Sequence, residues 1–527
     1  MALSRRKLLL VSAATAFGAG VLATTTRKDP TALKQISNEF YSYLPIPKLI
    51  DAREVGNRIS LNAQVGETEF FPNFKTESYG YSAPYLGPVV RVYRGDTVTM
   101  DVTNQLSKVT TVHWHGLLVP SEFDGGPYNS IDPGQSWQPT FKIDQSASTA
   151  WFHPHPHGDT ARQAYMGLAG LIYIEDEISK DLGLPGRYGL DDIPLIIQDR
   201  KFSADGELIY DPAAMDVLHG FRGDTIIVNG VYGPVAEVPK GIVRLRMLNG
   251  ANARNFRLEF DDRRSMHVVA NDNGFISAPA EVKQLTIAPG ERYEILVDFT
   301  NGESTVLLTY PDQNGRPSNG IADQLNKVTK DLADIFTPVM RFDPVIDITV
   351  VTKIVPSKLL SLPTPIVPPG AKRRTFILDS MTAINVPLSQ EANGMEGMDH
   401  STMSNPMTLT SDTATPSSMR MGINGKSFDM MRIDAEVKLG DREIWEIRGT
   451  EMAHPFHIHG ATFRILNLDG NPPPAYQAGN KDTVLVNEWA QLMISFDQRG
   501  DASKPFMFHC HILEHEDAGM MAQYSTI

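Results

Sequence analysis

The sequence predicts an all-β protein built as three similar β-sandwich domains, on three observations. Short runs of β-type residues are separated by Gly, Pro, Asn and Asp turns, and few stretches show a 3.6-residue period. A strand–Gly turn–strand phrase recurs as "RVYRGDTVTMDVTNQ" from Arg91, "AEVPKGIVRLRMLNGAN" from Ala236 and "AEVKLGDREIWEIRGTE" from Ala435. The chain, at 527 residues with 41 Gly and 36 Pro, is long enough for three turn-rich domains.

Residues 1–23 are expected to be an export signal. Ser-Arg-Arg-Lys-Leu-Leu-Leu at 4–10 is followed by an apolar, small-residued run to Ala23, too short for a comfortable membrane span. Arg5 and Arg6 resemble a twin-arginine address, with an ordinary secretory signal as the alternative. A periplasmic protein with no stable membrane insertion after signal removal is the expectation. The first domain is expected over 45–190, with strands at Val89–Tyr93, Thr97–Val102 and Gly170–Ile174. The second is expected over 191–352, with strands at Val243–Met247 and Glu294–Phe299. Residues 353–373, rich in proline, read as an extended linker. The third domain is expected over 374–527. It carries an insertion at 391–421 rich in Met, Ser, Thr, Asn and Gly.

Composition narrows the function. A net charge of −14 disfavours binding to nucleic-acid phosphates. Cys510 is the single cysteine, so no internal disulfide, zinc finger or iron–sulfur cluster can form.

Against that one cysteine stand 14 histidines, eleven of them in four short segments: "HWHG" (His113, His115), "HPHPHG" (His153, His155, His157), "HPFHIHG" (His454, His457, His459) and "HCHILEH" (His509, His511, His515). In a strand, residues i and i+2 face the same side. The pairs 113/115, 153/155, 457/459 and 509/511 can therefore each aim two imidazoles at one place. Eight neutral imidazoles suit a cluster of about three ions of Cu, Zn or Fe. Cys510, between His509 and His511, must point the other way, as must His454, three residues before His457. His515 and Met520 or Met521 follow. Two His, one Cys and a weak thioether define a blue-copper electron-transfer set, ringed here by apolar Phe506, Phe508, Ile512 and Leu513. The order wires two sites together through the backbone of Cys510.

In this order the four segments resemble the signature of the multicopper oxidases, over nearly the whole mature chain. The resemblance implies three cupredoxin-like Greek-key β-sandwich domains and four copper ions. It implies type 1 copper on His454, Cys510, His515 and Met520, type 2 copper on His113 and His457, and the type 3 pair on His115, His153, His155, His459, His509 and His511. His157 matches a histidine that is not a ligand. The implied reaction couples one-electron oxidations of a reducing substrate to reduction of O2 to water, which consumes protons. Asp124 in "FDGGP" and Glu516 match acids that the family uses as proton relays; a turn or surface carboxylate is the alternative for each.

Within the family, the twin-arginine signal, the "HCHILEHEDAGMM" C-terminus and the Met-rich insertion resemble bacterial copper-efflux cuprous oxidases. Met395, Met398, Met403, Met407, Met419 and Met421, with Asp399 and His400, would recruit Cu(I) through soft thioethers; a loop without a role is the alternative. Met452, Glu451, Asp379 and Met381 are candidates for a substrate Cu(I) site, although Thr450 stands where the family has Asp. The leading expectation is a cuprous oxidase protecting the cell from copper, acting as a monomer on O2 and Cu(I). The alternative is a laccase-like oxidase of phenols and aromatic amines. A third class, relatives that lost their copper ligands and act in cell division, is disfavoured because every ligand position is filled.

Overall fold

The computed structural model describes residues 40, 42–72, 74–312, 336–346, 352, 354–379 and 420–527. The export segment 1–23, Met381, and Met395 to Met419 of the insertion lie outside these residues. The chain is β throughout, with short helices at the connections. Six sheets stack as three sandwiches, in the cupredoxin-like manner expected.

In the first sandwich, a sheet ordered Leu49–Asp51, Val89–Tyr93, Gly170–Glu175, Ser148–Phe152 faces a sheet ordered Phe74–Tyr81, Arg58–Phe71, Thr97–Asn104, Ser136–Trp137, with Thr140–Lys142 also paired to Thr97–Asn104. Val89–Tyr93 runs parallel to both its neighbours, so the chain crosses between sheets in the Greek-key fashion. Strand Thr97–Asn104 alternates inward and outward residues. Its Val98, Met100 and Val102 meet Ile59, Leu61, Val90 and Ile172 in one core.

The middle sandwich has seven strands, including Asp192–Arg200, Ile242–Asn249 and Arg292–Asp298, against six that include Pro234–Pro239, Phe256–Phe260 and Thr337–Ile346. Asp192–Arg200 and Ile242–Asn249 are buried along their whole length rather than on alternate residues, because neighbouring elements cover both faces. Arg246 is accordingly buried and paired, at 2.8 Å to Asp192 and 3.3 Å to Glu175 of the first sandwich. The last strand expected there ends at Asp298, one residue before Phe299, which turns into the core. Ser42–Tyr43, ahead of the first sandwich, adds to the edge of the middle one. The proline-rich stretch from 354 onward forms no strand before Arg373, and Leu359 seats it on the middle core.

The third sandwich sets a sheet containing Arg373–Asp379, Arg442–Gly449 and Trp489–Ser495 against one ordered Ala435–Val437, Met521–Thr526, Phe506–Cys510, His454–Ile458, Thr483–Val486. Each copy of the recurring phrase lies in a different sandwich. Gly95 and Gly440 turn with φ +95° and +83°, a region glycine enters without strain. Met421 is a core residue of this third sandwich, 1% exposed, with its N–H donating to Ala518 O. It therefore cannot serve the insertion as an exposed thioether.

Candidate metal centre

The first and third sandwiches meet at a seam, and the histidine pairs lie there. His113 and His153 form an antiparallel bridge, with both N–H···O=C bonds made between them. His457 and His509 are direct cross-strand partners on His454–Ile458 and Phe506–Cys510. His459 and His511 fall just past strand ends, and His115 and His155 two residues past the isolated bridge of His113 and His153, yet each points into the same place as its partner two residues back. All eight rings are at most 1% exposed. His113 stacks on His459 with centroids 3.7 Å apart, and His115 on His457 at 3.6 Å. His157 stands apart, against Phe428.

Hydrogen bonds fix which nitrogen is free in six of the eight rings. A carbonyl only accepts, so Nδ1–H of His113 donates to Asp124 O (3.0 Å), of His153 to Pro154 O (2.9 Å), of His457 to Asp482 O (2.9 Å) and of His509 to Cys510 O (3.0 Å). Nδ1 of His459 donates to Asp124 Oδ2 at 2.7 Å. His115 is inverted: its Nε2 donates to Asp482 Oδ1 at 3.1 Å, which leaves Nδ1 free. The inward nitrogens are lone-pair acceptors. Nε2 of His113, His153 and His457, Nδ1 of His115 and both nitrogens of His511 are buried without a partner. Nε2 of His459 and His509 lie 3.1 Å apart, and Nε2 of His155 and His509 3.3 Å. Two lone pairs cannot hydrogen-bond each other, so a cation among them fits where a proton would satisfy only one. Groups of three ligand atoms within 4.8 Å form at His113–His115–His153, His113–His457–His459 and His155–His459–His509. Burial first, and then the repulsion of neighbouring rings, pushes His511 down to about 3 and holds His115, His153, His155, His459 and His509 well below the ordinary range, in the neutral form. Neutral imidazole is the metal-binding form.

On the opposite side of Phe506–Cys510, Cys510 Sγ lies 3.4 Å from Nδ1 of His454 and 3.6 Å from Nδ1 of His515. Their Nε2–H groups donate outward, to Thr450 O at 3.2 Å and Leu218 O at 3.0 Å, so both lone pairs face the sulfur. The Ile512 N–H also points at Sγ, at 3.4 Å. Met520 is fully buried in the surrounding apolar cluster, and its carbonyl accepts the Cys510 N–H. Burial pushes the Cys510 thiol up and His454 down to about 4, so a metal here must displace the thiol proton. Two histidines and a cysteine within an apolar cluster that also holds Met520 fit copper.

Three acids flank the eight rings. Asp124 is held against His459 and lies 3.4 Å from His113, with its second oxygen unpartnered. Glu516, on the helix Leu513–Asp517, faces Nδ1 of His155 at 3.4 Å and of His509 at 3.3 Å, with neither oxygen hydrogen-bonded. Burial, then the neighbouring Asp517, raises its carboxyl well above the usual range. Asp482 was invisible to pattern reading. Burial opposes its charge, but the Arg292 guanidinium and then His115 hold it well below the usual carboxylate range. Trp151, stacked on His153 at 4.2 Å, was likewise not read from the sequence.

The described substrate candidates lie around Thr450, whose N–H and Oγ1 both donate to the carbonyl of Leu378, the residue before Asp379. Met452 is buried in the third core at 8% exposure. Glu451 is exposed, on a left-handed φ of +65°. Asp379 is half-buried and its charge reaches His454.

Three profiles, each described as Multicopper oxidase, match residues 63–179, 210–322 and 399–527. The cell division protein FtsP of Escherichia coli is 35% identical over 91% of this chain and 92% of its own. The multicopper oxidase mco of Staphylococcus haemolyticus is 34% identical over 90% and 91%. Among solved structures, the laccase-like multi-copper oxidase CueO of Ochrobactrum sp., described as active towards lignin model compounds and lignosulfonate, superposes with a TM-score of 0.79. It is 45% identical over 92% of this chain and all of that one. The McoA multicopper oxidase of Aquifex aeolicus gives 0.74, at 32% identity over 92% and 99%. With its sandwiches, histidine seam and these likenesses in agreement, the chain belongs to the multicopper oxidase family.

Proposed function

We propose that this chain is a copper-loaded oxidase that takes single electrons from Cu(I) at the Cys510 site and passes them to O2 at the eight-histidine site, in defence against copper. The observation that carries the reading is the position of Cys510. Its sulfur faces His454 and His515, while the residues bonded to it on either side, His509 and His511, face the cluster. When bound, copper supplies the redox chemistry that no side chain here can perform.

The ligands are assigned as His454, Cys510, His515 and Met520 for type 1, His113 and His457 for type 2, and His115, His153, His155, His459, His509 and His511 for the type 3 pair, four ions in all. Inverted His115 would bind through Nδ1 and the other rings of defined tautomer through Nε2. Apolar packing around Cys510 excludes water and fixes the sulfur between two imidazoles. Asp124 and Glu516 are the groups within reach of the cluster that can hold a proton for water formation: Asp124 at Oδ1, Glu516 at either oxygen.

Cu(I) as substrate is supported by Met452 and Glu451, which follow Thr450, the acceptor of the His454 N–H, and by Asp379, whose charge reaches the same ring. Met381 and the Met-rich insertion would complete that supply. The laccase-like reading is favoured by the likeness to the Ochrobactrum oxidase. A role without copper sits poorly with twelve buried ligand positions all filled, so the cell division role named for FtsP is not carried over to this chain. Arg5 and Arg6 support export to the periplasm by the twin-arginine route, and the enzyme would act as a monomer. Among the described residues no helix is long and apolar enough to cross a membrane. An oxygen electrode decides between substrates: faster O2 consumption with Cu(I) than with phenols supports the proposal, and the reverse order supports the laccase reading.

A further inference from the structure

The middle sandwich contributes no histidine to the seam, but it sends one side chain there. Arg292, on the strand Arg292–Asp298, is fully buried and all five of its N–H groups are used. Nε donates to Thr149 O of the first sandwich at 3.0 Å. Nη1 donates to Gly290 O at 3.2 Å and Asp482 Oδ1 at 2.7 Å. Nη2 donates to Asp272 O at 3.0 Å and Asp482 Oδ2 at 2.7 Å. One guanidinium thus touches all three sandwiches and grips Asp482 with both arms, a geometry that lysine cannot reproduce. A second buried cation, Lys481, bonds Asp272 at 2.8 Å and Glu291 at 3.2 Å, so the adjoining acids are also compensated.

What Asp482 then does is specific. Its Oδ1 accepts from Nε2 of His115 and from Thr483 Oγ1 (2.7 Å), and its backbone carbonyl accepts from Nδ1 of His457. The stacked rings of His115 and His457 therefore take tautomer and tilt from Asp482, which Arg292 immobilises, and from Thr483, whose Oγ1 is hydrogen-bonded to Asp482 and lies 3.2 Å from a nitrogen of each ring. Gly116 shows how closely the guanidinium is fitted. A Cβ there would sit 2.4 Å from Arg292 Nη2 and 3.0 Å from Asp482 Oδ2, on a φ of +90°. The glycine of "HWHG" is the space through which Arg292 reaches the pair.

The geometry points to Arg292 as a positioning residue of the histidine cluster: by clamping Asp482 it orients His115 and His457, so the middle sandwich governs how firmly copper is held at that edge. This rests on the copper assignment under Proposed function. Loss of such an outer partner lowers metal affinity about 10–100-fold.

The test is copper retention and electron paramagnetic resonance on purified holoenzyme of the parent, Arg292→Met and Arg292→Lys, dialysed against a weak chelator. In Arg292→Met the type 2 signal should fall about tenfold relative to the parent, while the blue absorption per chain is retained. Arg292→Lys should keep part of the signal with altered hyperfine splitting, and it decides the matter if Arg292→Met does not fold. Parent-like type 2 signal and splitting in the folded variants would overturn the inference, as would proportional loss of blue and type 2 copper, the mark of a merely structural role. A parent without bound copper would overturn the functional reading and this inference together. A copper-loaded parent matched by its variants would overturn this inference alone.

Discussion

The Asp124 carboxylate accepts a hydrogen bond from Nδ1 of His459 at 2.7 Å, across the seam between the first and third sandwiches. Its other oxygen is buried and unpartnered. The carboxylate thereby both fixes a ligand and leaves one atom able to carry a proton. Asp124→Asn keeps the volume and removes the base. We expect O2 reduction to slow by about 10²-fold or more with the blue absorption unchanged. Turnover at the parent rate, measured with the oxygen electrode, would remove Asp124 from the proton path.

Cys510→Ser should abolish the absorption in the red and lower the copper content by about one ion per chain, since a hydroxyl is a poor donor to copper beside the two imidazoles. The eight-histidine site, on the other face of the strand, should keep its metal. Metal analysis with a visible spectrum checks both statements, and an unchanged band would place the chromophore elsewhere.

Deleting residues 391–418 probes the insertion. The cut must stop short of Met421, whose N–H holds Ala518 O at 2.9 Å and whose side chain is core. Oxidation of Cu(I) should fall about tenfold, the scale of a lost recognition contact, while oxidation of bulky phenols is spared or raised. Intact Cu(I) oxidation in steady-state assays would leave the insertion without a recruiting role.

The buried histidines give the metal-free protein a pH-dependent contribution of definite sign. Burial lowers His454 from 6.5 to about 4 and His511 to about 3. At these two rings the unfolded chain therefore binds more protons than the folded one below about 6.5. The stability they contribute is fully present above that value and is lost as pH falls from about 6.5 towards 4 for His454 and 3 for His511, while Asp517, pushed up to about 8 by burial, acts in the opposite sense. His454 alone contributes about 3 kcal/mol at most across its window. Nitrogen-15 NMR titration of the imidazoles in the metal-free protein checks this. Rings of His454 and His511 already protonated at about pH 5 would contradict their burial in neutral form.

Much of the site could be read from the chain because its logic is local. Alternation alone placed Cys510 and His454 on one side and the four histidine pairs on the other, even though His115, His155, His459 and His511 lie outside the strands. The partners that orient the rings could not be read in this way. Asp482 and Arg292 are 190 residues apart and meet only through tertiary packing. No periodicity marks either one, and the glycine after His115 acquires a reason only once Arg292 is seen beside it. Met421 shows the opposite error. Its neighbours in sequence are polar, so it read as part of the insertion, whereas its position at the start of a strand pairing puts it in the core.

The most direct test of the account is the copper content of the purified protein together with its visible spectrum. About four copper ions per chain and an intense band in the red are predicted. A colourless protein, or one that holds no copper after loading with Cu(I), would contradict the assignment of Cys510 and the eight histidines.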